Sequence, residues 1–176
     1  MLGAVICATI GAAGDLRSNR IPNWLTYGTL ALALAIRVAL GGWRSLEQGL
    51  AGILLGGGIF FVLFLVHGMG GGDVKLMAAV GAWVGLHGTL RVLIATALAG
   101  GILAVVYMVF YKRVGSTFRN VGLLLRFHLW SGVRPHPELN LQGPATIRLP
   151  YGLAIAMGTL YLLISANHIP GVIYGH

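Results

Sequence analysis

The sequence has few charged residues and very few acids. Of its 176 residues, 9% are charged and 57% are hydrophobic, and only four are Asp or Glu. A soluble domain is nearer one quarter charged, so this composition excludes a soluble protein and indicates an integral membrane protein. The only aspartates are Asp15 and Asp73, and both lie where apolar runs meet polar residues. Because a charge at a membrane edge is costly, such residues are usually functional.

Cysteine is also scarce. Cys7 alone can form neither an internal disulfide nor a zinc site built only from cysteines. The six histidines are scattered, without a pair at the spacing of helical metal ligands. We therefore expect no metal and no cofactor, with Cys7 a small core residue.

The net charge is +8, which in a soluble chain would suggest nucleic-acid binding. Here the basic residues lie in loops beside apolar runs, where they suit the anionic headgroups of membrane lipid. We expect lipid contacts, chiefly at the basic loop described below, and no nucleic acid.

The apolar runs predict one all-α membrane domain over residues 1–176, a bundle of six transmembrane helices. The first runs from residue 2 toward residue 17, and a polar connector ends at Ile21-Pro22-Asn23. Residues 44–48 are predicted to be a polar loop and His87-Gly88 a tight turn. The remaining helices cover residues 22–40, 49–66, 74–86, 89–111 and 150–164.

Residues 112–148 form the one long polar segment, a basic loop. In its first half, apolar residues at helical spacing predict an amphipathic helix on the membrane surface, with a disordered basic loop as the alternative.

Six helices place both termini on one side and most basic residues on the other. Because positive loops stay in the cytoplasm, the basic side is predicted to be cytoplasmic and both termini to lie outside. The basic side holds nine of the twelve Lys and Arg residues: Arg17, Arg20, Lys75, Lys112, Arg113, Arg119, Arg126, Arg134 and Arg148.

Two predicted helices separate Asp15 from Asp73. The chain therefore crosses the membrane twice between them, and both aspartates lie at the same face of the membrane. Two acids in a partly dry site can share one proton, so one can act as a base on water while the other donates to a carbonyl. This is aspartic-protease chemistry. Alternatively, Asp15 pairs with Arg17 or caps a helix, and Asp73 is an N-cap or pairs with Lys75.

Three motifs resemble those of the type IV prepilin peptidases, which are Gly-x-Gly-Asp intramembrane aspartic proteases. Gly70-Gly71-Gly72-Asp73-Val74-Lys75 is similar to the signature motif. Asp15-Leu16-Arg17, followed by Ile21-Pro22-Asn23, resembles the first-aspartate motif. Leu149-Pro150-Tyr151-Gly152 resembles the start of the last helix.

The resemblance implies that Asp15 and Asp73 are catalytic, that Gly70 and Gly72 shape the turn, and that Lys75 supports the Asp73 segment. Five other residues belong to these motifs and are candidates for a supporting role by the same resemblance: Arg17, Pro22, Asn23, Pro150 and Tyr151.

The implied function is removal of the basic leader of prepilins or pseudopilins at the cytoplasmic face of the membrane. Longer members also N-methylate the product and carry a cysteine tetrad. Cys7 is the one cysteine of this sequence, so the tetrad is missing, and we expect no N-terminal extension either. It is similar to short members from tight-adherence (Flp) pilus systems or archaea, so we expect no methyltransferase activity.

Three other functions compete with this one. A small transporter or proton-relay protein could use the same aspartates, although such acids more often lie near the bilayer midplane or in inverted repeats. A non-catalytic scaffold would tolerate the loss of either aspartate. The same chemistry could also act on another substrate, such as a signal-peptide remnant.

Overall fold

The computed structural model describes residues 1–18, 20–66, 69–110 and 150–168, with side chains to residue 165 in the last range. These residues form four helices: α1 (Leu2–Ser18), α2 (Asn23–Leu65), α3 (Gly71–Phe110) and α4 (Tyr151–His168). Pro22 precedes α2 with an extended backbone, φ −62° and ψ 133°. Proline suits the start of a helix, because backbone N–H groups there have no acceptor within the helix and the one that proline lacks is not needed. The all-α prediction is confirmed, while the basic loop over residues 112–148 lies outside the described residues.

The two central helices are each too long to be a single straight membrane span. A straight helix of 43 residues would measure about 65 Å, roughly twice the ~30 Å hydrocarbon core of a bilayer. Each helix is interrupted once, α2 at Gly42 (φ 62°, ψ −156°) and α3 at Gly85 (φ 73°, ψ −176°). Only glycine adopts this backbone conformation without strain, which explains why the breaks fall at these residues.

The chain reverses direction at Gly42. Residues 37 and 49 would lie about 18 Å apart along a straight helix. In the structure, a Cβ atom added to Gly49 would lie only 2.7 Å from Arg37 Cδ. The two halves of α2, residues 23–41 and 43–65, therefore lie side by side.

The chain also reverses at Gly85. A Cβ atom on Gly56 would lie 3.0 Å from Thr89 Cγ2 and 3.2 Å from the Met77 carbonyl oxygen. Met77 and Thr89 lie on opposite sides of Gly85, so one point on α2 contacts both halves of α3. The described residues thus form six helical segments, because α2 and α3 contribute two each.

Glycine contacts bring the helices close together. Gly52 of α2 and Gly81 of α3 meet backbone to backbone, so that a Cβ atom on either would overlap the other's carbonyl group. Small residues at helix contacts are the usual means of close packing in membranes. The two glycines therefore allow α2 and α3 to pack closely.

Helix α1 packs antiparallel to the first half of α3. Gly3 lies against Trp83, and Gly11 lies against Leu76, one turn before Asp15. Helix α4 packs on α3, where Gly158 fits against Thr96. The buried core between these helices includes Ala4, Cys7, Leu25, Leu76, Met77, Val80, Val92 and Ile155. The prediction that Cys7 is a core residue is thereby confirmed.

Two of the predicted turns are misplaced. Residues 44–48 are helical and not a polar loop, because the reversal needs only the positive φ of Gly42. His87 and Gly88 are helical as well, and the turn lies earlier at Gly85. The fourth predicted helix also begins earlier, at Gly71 instead of residue 74.

Arg37 stabilises the end of the bundle that carries both reversals. Its Nε donates to the Ala82 carbonyl oxygen at 2.6 Å, and its Nη2 to that of Trp83 at 2.8 Å. Its Nη1 donates to the Ser45 carbonyl oxygen at 2.9 Å. A guanidinium thus satisfies carbonyl groups that a helix end leaves without partners.

We predict that Gly52→Ala destabilises the bundle by about 1–3 kcal/mol, because its methyl group has to displace the Gly81 backbone. Thermal unfolding in detergent measures the effect. Gly58→Ala, in the same helical segment, is the matched control, because a Cβ there meets nothing within 4 Å. Equal stability of the two variants would contradict the glycine contact.

Candidate active site

Asp15 and Asp73 lie at the same end of the bundle, opposite the reversals at Gly42 and Gly85. The antiparallel register of α1 on α3 takes Gly3 to Trp83 and Gly11 to Leu76, and so brings Asp15 toward Asp73. The two carboxylates are close enough to interact electrostatically. Asp73 is 7% exposed, whereas Asp15 is half-buried.

Asp73 is held by the turn that precedes α3. Its backbone N–H donates to the Gly70 carbonyl oxygen at 3.2 Å, and Gly70 N–H donates in return to Asp73 Oδ2 at 3.3 Å. Its other oxygen, Oδ1, is buried and has no hydrogen-bond partner among the described residues. A buried polar atom left in this state needs an explanation, and a site for water or substrate supplies one.

Asp15 is held from the far end of the sequence. Its Oδ2 accepts a hydrogen bond of 3.0 Å from the backbone N–H of Gly152, in the first turn of α4. The adjacent Tyr151 interacts electrostatically with Asp73. Pro150 accepts a hydrogen bond from Leu153 N–H at 3.1 Å and so forms the start of the same turn.

The segments carrying the first two motifs contact each other beside the carboxylates. Ile21 packs against Gly72, where an added Cβ atom would lie 3.3 Å from Ile21 Cβ. Lys75 Nζ donates to Asn23 Oδ1 at 3.0 Å and lies 5.3 Å from the centre of the Tyr27 ring. These contacts fix the segment before α2 against the start of α3.

The alternatives raised from the sequence can now be compared with these contacts. Lys75 donates to Asn23, so its partner is not Asp73. Arg17 is exposed in the last turn of α1, and the hydrogen-bond donor to Asp15 is Gly152. Asp73 is the third residue of α3 and therefore not its N-cap. Its Oδ2 accepts from the N–H of Gly70, the residue before the helix, as the acid of a capping box does, while its Oδ1 has no hydrogen-bond partner among the described residues.

Gly70 lies in the turn before α3, and Gly72 lies in the first turn of that helix. Among the described glycines only Gly42 and Gly85 have a positive φ. Gly70 supplies an amide to Asp73, and Gly72 leaves room for Ile21. Their role in shaping the turn stays a prediction.

Sequence reasoning missed the contribution of the Gly152 amide. The residue stood inside a recognised motif, but a contact across 137 positions of sequence gives no local signal. Reasoning also missed Tyr27, whose position one turn after Asn23 on α2 could have indicated it.

The described residues contain no group of three His, Cys, Asp or Glu side chains placed to hold a metal ion. The carboxylate pair is nevertheless sufficient for acid–base chemistry, because one member can take a proton from water while the other gives one to a carbonyl oxygen.

Fold and site together define a helical protein with apolar helices and a carboxylate pair at one end of the bundle. Helices α2 and α3 are each long and apolar enough to cross a membrane. A family model described as the type IV leader peptidase family matches residues 2–105, more than half of the chain. The chain therefore belongs to the type IV leader peptidase family, which is membrane-embedded.

Curated relatives have the name prepilin leader peptidase/N-methyltransferase. One from Xanthomonas campestris pv. campestris is 32% identical over 120 residues, covering 60% of this chain and 40% of that protein. One from Burkholderia pseudomallei is 31% identical over 110 residues, covering 57% and 35%. One from Escherichia coli is 32% identical over 111 residues, covering 58% and 48%.

The matched part of this chain thus spans less than half the length of each of these relatives. No solved structure matches the chain significantly.

We predict that Lys75 and Asn23 contribute jointly to stability. In a double-mutant cycle with Lys75→Met and Asn23→Ala, we expect a coupling free energy of about 1 kcal/mol in thermal unfolding, because each change removes the same hydrogen bond.

The control cycle combines Arg17→Met with Asn23→Ala, since Arg17 is exposed on another helix. Additive effects of Lys75→Met and Asn23→Ala would show that the hydrogen bond is not formed.

Proposed function

We propose that this protein is an intramembrane aspartic endopeptidase that removes the leader peptide of type IV prepilins or pseudopilins. The observation that carries the proposal is that Asp15 and Asp73 lie within electrostatic reach of each other at one end of an apolar bundle, while a buried oxygen of Asp73 has no hydrogen-bond partner among the described residues. Family membership and the names of the relatives support the substrate class.

The mechanism follows from two carboxylates that share one proton. The ionised carboxylate takes a proton from a water molecule, whose oxygen attacks the scissile carbonyl carbon. The protonated carboxylate donates its proton to the carbonyl oxygen, which gives a tetrahedral diol. The carboxylate that took the proton from water then gives it to the amide nitrogen, while the other carboxylate takes a proton from the diol. The carbon–nitrogen bond breaks, the leader leaves with a new carboxyl group and the product with a new amino terminus, and the pair again holds one proton.

We further propose that the six helical segments each cross the membrane and that the Asp15 and Asp73 end faces the cytoplasm, with both termini outside. The basic residues Arg17, Arg20 and Lys75 lie at that end, as the positive-inside rule requires. That residues 112–148 form a basic loop in the cytoplasm, in contact with anionic lipid headgroups, remains a prediction.

The competing transporter or proton-relay function is less well supported. Both aspartates lie at one end of the bundle and are held by backbone amides, whereas transport sites usually lie near the midplane.

The proposal extends only to the peptidase part of the relatives' name. The absence of N-methyltransferase activity stays a prediction. Mass spectrometry of the cleaved pilin would test it, because N-methylation adds mass to the new N-terminal residue.

We predict that Asp15→Asn and Asp73→Asn each reduce cleavage of a co-expressed prepilin by about 10²-fold or more, because Asn keeps the shape but can neither take up nor hold the proton. A gel shift measures cleavage, and membrane levels are measured in parallel. Glu47→Gln is the matched control, since Glu47 is an exposed acid on α2. Full cleavage by both Asn variants would exclude the dyad and favour a structural or transport role.

We predict that the end of the bundle carrying Ser18 is cytoplasmic. In a Cys7→Ala background, Ser18→Cys should react with a membrane-impermeant maleimide only in inverted vesicles, and Glu47→Cys only in intact spheroplasts. Both positions are exposed, and neither change removes a Lys or Arg that directs topology. The opposite labelling pattern would place the carboxylates outside the cell.

A further inference from the structure

The first turn of α4 contacts Asp15 and lies near Asp73. Gly152 N–H donates to Asp15 Oδ2 at 3.0 Å, and the neighbouring Tyr151 interacts electrostatically with Asp73. This turn lies beyond the region matched by the family model, which ends at residue 105. Its part in the site therefore rests on the geometry of this chain.

Gly152 fits against Asp15 without spare room. A Cβ atom at this position would lie 3.0 Å from both Cβ and Oδ2 of Asp15, and 3.3 Å from Ala12 Cα. The Ala12 Cα is a backbone atom of α1, so it cannot move away as the tip of a flexible side chain can. Any side chain at position 152 therefore has to displace the Asp15 carboxylate or separate α4 from α1.

The two carboxylates are held in the same way. A glycine amide binds Oδ2 of each, Gly70 for Asp73 and Gly152 for Asp15. The Gly70 amide belongs to the turn just before Asp73, whereas the Gly152 amide has to be brought from another helix. The orientation of Asp15 thus depends on how α4 docks.

We propose that Gly152 is a positioning residue that sets the orientation of the Asp15 carboxylate toward Asp73 through its backbone amide and its lack of a side chain. This inference rests on the proposed peptidase function. It assigns to the first turn of α4 a part in the reaction that is separate from substrate binding.

The test is steady-state cleavage of a prepilin by the purified full chain, with kcat and KM measured separately. In Gly152→Ala, kcat should fall about 10- to 100-fold, because a small misplacement of a catalytic group is enough for such a loss. KM should stay within about twofold, since the change acts on the reacting geometry and not on binding. Gly101→Ala is the matched control, because a Cβ there meets nothing within 4 Å, and it should leave both constants unchanged.

A kcat for Gly152→Ala within about threefold of the unmodified protein would overturn the inference, as would a loss confined to KM. These results differ from failure of the proposed function itself, in which the unmodified protein does not cleave.

A second measurement needs no activity and covers a poorly folding variant. Gly152→Ala should lower the thermal unfolding temperature more in the unmodified chain than in an Asp15→Gly background, where the Asp15 Cβ and carboxylate are gone and only the 3.3 Å contact with Ala12 Cα remains. An equal penalty in both backgrounds would mean that Gly152 does not contact Asp15, and the inference would be wrong.

Discussion

The positive φ angles of Gly42 and Gly85 allow the reversals that leave Asp15 and Asp73 at the same end of the bundle. Each allows a long apolar helix to double back within one residue, and a side chain at either position would strain the backbone. Two reversals at one end mean that the helix ends bearing Asp15 and Asp73 meet at the other. Without them, a helix as long as α2 would carry its ends far beyond a bilayer.

The two ends of the bundle use charge in different ways. At the reversals, the Arg37 guanidinium donates to carbonyl groups and holds segments of α2 and α3 together. At the other end, Lys75 donates to Asn23 and lies over Tyr27. The lysine beside Asp73 in sequence is thus used to connect two segments, and the carboxylate is left to backbone amides.

The sequence predicted the all-helical fold, and the parity argument that brought the aspartates to one face agrees with the structure. It did so because apolar runs and the glycines and prolines between them carry that information locally. The turns were less predictable, because residues 44–48 look like a loop but continue a helix once Gly42 has reversed the chain. His87 and Gly88 likewise suggested a turn, but they are helical, and the chain reverses at Gly85, which has a positive φ.

The site could be predicted only as far as its motifs are local. Asp73 and Gly70 are three residues apart, so their contact follows from the turn. The contact of Asp15 with Gly152 depends on α4 docking beside α1, and no pattern in either helix encodes it. The hydrogen bond of Lys75 to Asn23 also joins two segments that are far apart in sequence. The sequence suggested Asp73, two residues away, as the partner of Lys75 instead.

Backbone amides are well suited to hold a carboxylate pair that shares a proton. A lysine or arginine bound to either acid would favour its charged form strongly and so oppose the sharing of one proton between them. An amide also donates a hydrogen bond, but it carries no net charge and cannot swing away as a long side chain can. Holding one oxygen of each acid by an amide fixes the direction in which the other oxygen points. Asp73 Oδ1 has no hydrogen-bond partner among the described residues, and in the proposed mechanism it would be the oxygen that binds water, substrate or the shared proton.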